Sequence, residues 1–315
     1  MPLDPHIAAL LQTLPRLEAP VSDASRVAEA RARLRTLTVG PGDPATVPEV
    51  ASVTSTVVAG SLPARVYRPA ATGVLPTVVY LHGGGWVLGD LDTHDVQART
   101  LCRDLDAVVV SVDYRLAPEH RFPAAVDDAY AALTWVAEHV DDFGGDASRL
   151  VIGGDSAGAT LSTVCARQAR ADGLPLAAQL LVYPSTDISG LYPSRAENGE
   201  GYFLTTEEVH WFFEQYLGVP RSSPDAARLH ADPRVAPLRA ESLAGLAPAV
   251  VVTAEFDPLR DEGDRYAEAL RDAGVRVEHR QFEGLVHGFY GMGRLSPAAG
   301  SATTWTNAAL KHLIG

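Results

Sequence analysis

The sequence predicts an α/β fold: a mostly parallel central sheet, helices on its flanks and a helical cap above it. Strands are expected at 107–112, 149–153, 177–183, 249–254 and 275–281, and helices at 93–105, 123–140, 157–171, 260–273 and 302–313. Such alternation is the pattern of βα units laid side by side. The strands read as unbroken apolar runs, Ala107-Val-Val-Val-Ser-Val being the clearest, so both of their faces are expected to be covered, as in a parallel sheet. One stretch, from Pro184 to Pro237, breaks the alternation, being polar and punctuated by proline and glycine. Connections this long are uncommon in compact domains and usually functional, which marks the stretch as part of a cap.

The N-terminal elements follow from spacing and breakers. Residues 5–17 and 23–37 read as helices, the second with Val27, Ala30, Leu34 and Leu37 at helical intervals, and Pro20 separates the two. A Pro/Gly-rich link from Val39 to Pro48 ends this helical preface. Strand-like runs follow at 49–58 and 63–69, then a purely apolar one at Thr77–Leu81. No helix separates these first strands, so this edge of the sheet is expected to be antiparallel. Within the irregular stretch one aromatic-rich helix is expected near 205–217, with Trp211, Phe212, Phe213 and Tyr216. The chain thus divides into an N-terminal helical part of the cap (1–45), a first part of the core (46–184), a cap insertion (185–235) and a second part of the core (236–315).

Composition bounds the function classes. A chain of 315 residues holds one large α/β core with an accessory piece, and 46% hydrophobic against 21% charged residues is the balance of a globular protein. A net charge of −13 without any basic run argues against nucleic-acid binding. Lys311 is the single lysine, which removes lysine-based mechanisms. Cys102 and Cys165 fall in apolar helical patterns, as small buried side chains rather than a disulfide or ligand pair. With no HExxH motif or Cys/His cluster, neither a metal nor a cofactor is expected. The first 17 residues carry Asp4 and no basic region. No apolar run approaches the roughly 20 residues that span a bilayer, so no membrane span and a cytoplasmic location are expected. A homodimer is compatible with the sequence, which leaves the oligomeric state open.

The segment Leu150-Val-Ile-Gly-Gly-Asp-Ser-Ala-Gly-Ala-Thr-Leu sets Gly154-x-Ser156-x-Gly158 between an apolar strand and a helical pattern. A strand that turns directly into a helix brings the two backbones close, so the positions two before and two after the serine must be small. Gly154 and Gly158 meet that need. Such an elbow strains the serine backbone, lifts Oγ above the sheet edge and aims the next amide and the helix N-terminus at the same point. Ser156 is therefore the candidate nucleophile, and the Ala157 N–H a candidate oxyanion donor.

His82-Gly83-Gly84-Gly85-Trp86 directly follows the apolar strand 77–81. Its glycines let backbone N–H groups approach a bound carbonyl without a Cβ clash, and Gly84 and Gly85 are the expected donors. Clustered glycines at a strand end also suit a dinucleotide or phosphate loop. Against that reading, Leu88 stands where a GxGxxG fingerprint begun at Gly83 needs its last glycine, and a P-loop lysine does not exist here. His82 is read as a structural hydrogen-bonding residue of the loop, since a base should follow the nucleophile in chain order.

The expected order is serine, acid, histidine, each beyond the C-terminal end of a strand. The run Ala249-Val-Val-Val-Thr-Ala-Glu-Phe-Asp-Pro ends in Asp257, the favoured acid, and Pro258 opens a helix. A plain helix N-cap is the competing role for Asp257, and Glu255 is the weaker alternative acid. Strand 275–281 leads into Phe282-Glu-Gly-Leu-Val-His287-Gly, a Gly-flanked loop at the same sheet edge, which makes His287 the base. His6, His94, His139, His210, His230 and His312 sit in helical or cap sequence, where solvent-facing or satisfied roles are expected, and His279 lies inside a strand.

Taken together, His82-Gly-Gly-Gly-Trp, Asp113-Tyr-Arg-Leu-Ala-Pro-Glu-His-Arg-Phe-Pro-Ala-Ala, Gly154-Asp-Ser-Ala-Gly, Asp257-Pro-Leu-Arg-Asp-Glu-Gly and His287-Gly-Phe span most of the chain. In these motifs it resembles the bacterial hormone-sensitive-lipase-like esterases of the α/β-hydrolase fold. The resemblance implies Ser156, Asp257 and His287 as triad, Gly84, Gly85 and Ala157 as oxyanion donors, a cap built from the N-terminal helices and 185–235, and a carboxylesterase active on short- to medium-chain acyl esters. Asp155 is expected to hydrogen-bond the oxyanion loop, and the Tyr114–Ala125 motif to brace it from beneath. Trp86, Leu204, Phe212 and Phe213 are either acyl-pocket walls or core, a choice left open. An amide or lactone hydrolase would use the same machinery, and a non-catalytic binder on this scaffold would be expected to lack a triad residue.

Overall fold

The computed structural model describes residues 1–13, 23–39, 47–188 and 190–315. Residues 14–17 of the first expected helix, Pro20 and most of the Val39–Pro48 link lie outside the described residues. The sheet has eight strands: β1 (Ser52–Val58), β2 (Leu62–Arg68), β3 (Leu75–Leu81), β4 (Val108–Val112), β5 (Gly145–Asp155), β6 (Ala178–Val182), β7 (Ala249–Phe256) and β8 (Val277–Val286). Their spatial order is β1-β2-β4-β3-β5-β6-β7-β8. The first two strands pair antiparallel with each other and with β4, and every pair from β4 to β8 is parallel, as the sequence patterns predict.

Helices α1 (Pro5–Thr13), α2 (Asp23–Thr38), α3 (Asp95–Leu105), α4 (Ala124–Glu138), α5 (Ala157–Asp172), α9 (Arg260–Asp272) and α10 (Pro297–Ile314) accompany the sheet. The apolar strands divide their side chains between two cores. Val79, Leu81, Val110 and Ile152 face α4 and α5, while Val78, Tyr80, Val109 and Val151 face α3 and α10. Burial on both faces is what removes the alternating signal from these strands. Among the described residues no helix is long and apolar enough to cross a membrane.

Chain order and spatial order part company around β3, which has β4 on one side and β5 on the other. Loops leaving the C-terminal ends of β3 and β5 diverge there and open a crevice, the usual ligand position in parallel sheets.

Some elements differ from the sequence reading. The strand expected at 275–281 runs on to Val286, because β7 itself continues to Phe256 and gives Val286 a partner. Helix α10 starts at Pro297 rather than 302, capped by the Ser296 side chain on the Ala299 N–H. The insertion contains the aromatic helix α7 (Thr206–Leu217) and also α6 (Pro193–Glu197) and α8 (Pro224–His230), both opened by a proline and too short for periodicity to reveal.

The insertion is locked to the core by one buried ion pair. Arg195 of α6 meets Glu262 of α9 at 2.5 Å, and Glu262 also accepts from the Ser185 hydroxyl and the Thr186 N–H. Both partners are out of solvent, so removing one strands a charge in a low-dielectric interior. Glu262→Ala is expected to destabilise the protein by about 3–5 kcal/mol, measured as a lower urea midpoint. Arg265→Ala, which breaks an exposed pair with Glu268, is expected to leave that midpoint in place.

Candidate active site

The strand-to-helix turn forms as expected. Ser156 takes φ 53° and ψ −119°, a left-handed conformation that costs a non-glycine residue about 1–3 kcal/mol. Neighbouring contacts hold it there. Its N–H donates to the Val182 carbonyl at 2.8 Å, and its own carbonyl accepts the Thr160 N–H at 3.0 Å. A Cβ on either Gly154 or Gly158 would collide with the Leu81 carbonyl at the end of β3.

The histidine and the acid arrive from the ends of β8 and β7. His287 Nε2 lies 2.9 Å from Ser156 Oγ, and its Nδ1 lies 2.7 Å from Asp257 Oδ2. An ionised carboxylate only accepts, so Nδ1 carries the proton and Nε2 is left to accept from the serine hydroxyl. Asp257 is fully buried, and its other oxygen accepts the Leu259 N–H at 2.8 Å. One oxygen is thus held by nearby backbone and the other meets the histidine, while the helix N-cap falls on Leu259 and not on Asp257. Glu255, the alternative acid, is turned away onto the Met1 amino group and the Gly284 N–H. His279 of β8 pairs with Asp264 of α9 at 2.8 Å.

The loop after β3 brings Gly84, at φ 118°, and Gly85, at φ 60°, beside the serine at the cavity floor. Among the described residues no acceptor takes the N–H of Gly84, Gly85 or Ala157. Three anchors fix the loop. Gly83 N–H donates to Asp155 Oδ1 at 3.1 Å, the Tyr114 hydroxyl donates to the His82 carbonyl at 2.7 Å, and the Ala117 N–H donates to the Trp86 carbonyl at 2.8 Å. Asp155 and the Tyr114–Ala125 segment thus stand where the sequence reading put them.

Asp155 is a buried carboxyl beside the serine, also bonded by Tyr80 Oη at 2.6 Å and 3.6 Å from His94 Nε2. Burial alone would push its pKa up, but the pull of nearby His94 and the hydrogen bond from Tyr80 lower it below the ordinary carboxylate value. His82 is fully buried, stacked on Tyr114 with ring centroids 4.4 Å apart. Burial, reinforced by neighbouring His94, lowers its pKa to about 4. A neutral ring with its Nδ1–H on the Gly83 carbonyl at 2.8 Å is a loop brace, as expected, and not a base.

Above the serine opens a cavity of about 710 Å³, and Trp86, Leu204, Phe212 and Phe213 all line it. Trp86 is core as well, stacked on Tyr216 at 4.4 Å between centroids. Helix α2 supplies another wall through Ala30 and Leu34, and Arg31 ties that helix to the Val87 and Ala117 carbonyls behind the oxyanion loop.

A family model described as "alpha/beta hydrolase fold" matches residues 78–291, well over half of the chain. The chain belongs to the α/β-hydrolase family. Among its relatives, the carboxylic ester hydrolase LipN of Mycobacterium tuberculosis is 49% identical over 262 residues, covering 81% of this chain and 68% of LipN. The carboxylesterase NlhH of the same organism is 44% identical, covering 99% of this chain and 96% of its own. A solved structure of a hyperthermophilic esterase from the archaeon Pyrobaculum calidifontis superposes with a TM-score of 0.90 at 38% identity, covering 99% of both chains. These matches bear out the resemblance to the hormone-sensitive-lipase-like esterases.

One residue of this α/β-hydrolase site escaped the sequence reading. His94, grouped there with solvent-facing or satisfied histidines, is buried in the cavity wall with its Nδ1 against the Thr93 hydroxyl and its Nε2 toward Asp155. No spacing rule marks it, because the fold alone brings the start of α3 under the elbow. The lowered pKa of His82 has a testable consequence. Between about 4 and 6.5 the unfolded chain binds a proton at His82 that the native one does not, so stability falls as pH drops through this window. His82→Gln is expected to flatten that part of the urea-midpoint profile.

Proposed function

We propose that this protein is a carboxylesterase acting through Ser156, His287 and Asp257, with Gly84, Gly85 and Ala157 as oxyanion donors. The observation that carries the reading is the unbroken chain Ser156 Oγ, His287 Nε2, His287 Nδ1, Asp257 Oδ2, at 2.9 and 2.7 Å, on the floor of a cavity. The relatives named as carboxylic ester hydrolase and carboxylesterase support the ester as the bond cleaved.

In this mechanism His287 Nε2 takes the Ser156 proton as Oγ attacks the substrate carbonyl. Asp257 holds the imidazole by its Nδ1–H and stabilises the imidazolium. The carbonyl oxygen, now an anion, receives the free N–H groups of Gly84, Gly85 and Ala157, each donor being worth about 3–4 kcal/mol in comparable sites. His287 returns the proton to the departing alkoxide and leaves an acyl-Ser156. A water deprotonated by the same nitrogen then releases the acid.

The same reading takes residues 1–45 and 185–235 as a cap that shapes the acyl site over the core. Helices α2 and α7 supply cavity walls from those two segments, which favours this division. A mostly aromatic and aliphatic pocket of this size suits short- to medium-chain acyl groups.

Hydrolysis of a p-nitrophenyl acyl series by the wild type and by Ser156→Ala tests the proposal. Activity is expected to peak at short to medium chains and to fall by at least about 10⁴-fold in the variant; a variant as active as the wild type would overturn it. Phe212 covers the oxyanion glycines, since a Cβ on Gly85 would meet its ring. Phe212→Ala is therefore expected to move the chain-length optimum upward, read as the ratio of kcat/KM values along the series.

A further inference from the structure

The insertion between β6 and β7 reaches beneath the loop that carries Asp257. Four carbonyls between the end of β7 and the first turn of α9 accept hydrogen bonds from insertion side chains. Asn198 Nδ2 donates to the Glu255 carbonyl at 3.0 Å and to the Asp257 carbonyl at 3.2 Å. The Ser194 hydroxyl donates to the Pro258 carbonyl at 2.9 Å, and the Thr186 hydroxyl to the Glu262 carbonyl at 2.7 Å. Arg260 serves the first two carbonyls from the other side, through Nη1 on Glu255 at 3.3 Å and its N–H on Asp257 at 3.1 Å.

Asn198 differs from its neighbours in making two of these bonds, one of them to the carbonyl of the acid residue itself. Its one amide group bridges the carbonyls on both sides of Phe256, and it is only 4% exposed. Its own position is set by α6, whose Ser194 carbonyl accepts the Asn198 N–H at 2.9 Å and whose Arg195 is held by Glu262. The carboxylate of Asp257 has no freedom to compensate for a backbone shift, because one oxygen is tied to Leu259 N–H and the other to His287. A displacement of about 1 Å takes a 2.7 Å contact beyond hydrogen-bond range.

We propose that Asn198 is a positioning residue: it clamps the acid-bearing loop at the place from which Asp257 orients His287. This rests on the triad reading above. It makes the insertion part of the catalytic scaffold as well as a wall of the substrate cavity, since α7 is tied to the same helix by the Thr206 hydroxyl on the Arg195 carbonyl.

The test is steady-state hydrolysis of a short-chain p-nitrophenyl ester by Asn198→Ala, with rates referred to folded enzyme by near-UV circular dichroism. The expected result is a kcat lowered roughly 10- to 100-fold with KM within about twofold of wild type. The acid limb of the kcat/KM profile is expected to move to lower pH, because a His287 less well held by Asp257 loses stabilisation of its imidazolium. Asn198→Ser, which keeps a shorter donor, should fall between the two and gives the same readout if the alanine variant does not fold. Wild-type kcat and an unmoved acid limb, whatever the melting temperature, would overturn the proposal, as would a loss confined to KM. Asp257→Asn and Ser156→Ala are measured alongside: full activity in either would overturn the triad itself, whereas their inactivity beside an unaffected Asn198→Ala would remove only the clamp.

Discussion

The carbonyl of Leu81, at the end of β3, sits directly against Gly154 and Gly158, and no side chain fits between them. This close approach governs the rest of the site. It lets β5 turn straight into α5, which forces Ser156 into its left-handed conformation, and it sets the glycine loop after β3 beside the serine. Because β3 and β5 are neighbours whose onward connections run in opposite directions, the crevice lies open above their ends. The candidate acid and base then need only to emerge from the same edge, which the parallel pairing of β6, β7 and β8 guarantees.

Charge is handled in the same economical manner. Asp155, Asp257 and Glu262 are buried carboxyl groups near this edge, and each has several partners. Asp155 gathers Gly83 N–H and Tyr80 with His94 nearby, Asp257 takes Leu259 N–H and His287, and Glu262 takes Arg195, Ser185 and Thr186. Partners of this kind offset the desolvation that burial imposes, and they also rigidify what they join. Each cluster joins a different pair of elements: the glycine loop to the elbow, the acid loop to the histidine loop, and the insertion to α9. The edge that carries the candidate site is thus a set of loops cross-linked by buried polar contacts on top of an apolar sheet.

Much of the candidate site was legible in the sequence because its chemistry is local. The elbow needs small residues at fixed offsets from the serine, and the oxyanion loop needs adjacent glycines after an apolar strand, so both show as short motifs. Asp257 and His287 were legible through chain order and strand ends. Trp86 was ambiguous because its two roles, stacking on Tyr216 and lining the cavity, are both aromatic and apolar. His94 was passed over because nothing adjacent to it in sequence reveals that Asp155 lies 3.6 Å away. Helix α6 was invisible for a related reason: five residues opened by a proline carry no period, and its stability comes from Arg195, Ser194 and the acid loop rather than from its own composition.

By itself the sequence determined the parallel core, the antiparallel edge, the order of the motifs and the identity of the candidate reacting groups. Those depend on residue type and spacing along the chain, and both are written in the sequence. Only the tertiary structure decided the reach of β8 to Val286, the neutral and stacked state of His82, the double engagement of Asp257 and the hold of Asn198 on the acid loop. Each of these is a contact between segments far apart in the chain, and its strength is set by burial and distance, quantities that exist only once the chain has folded.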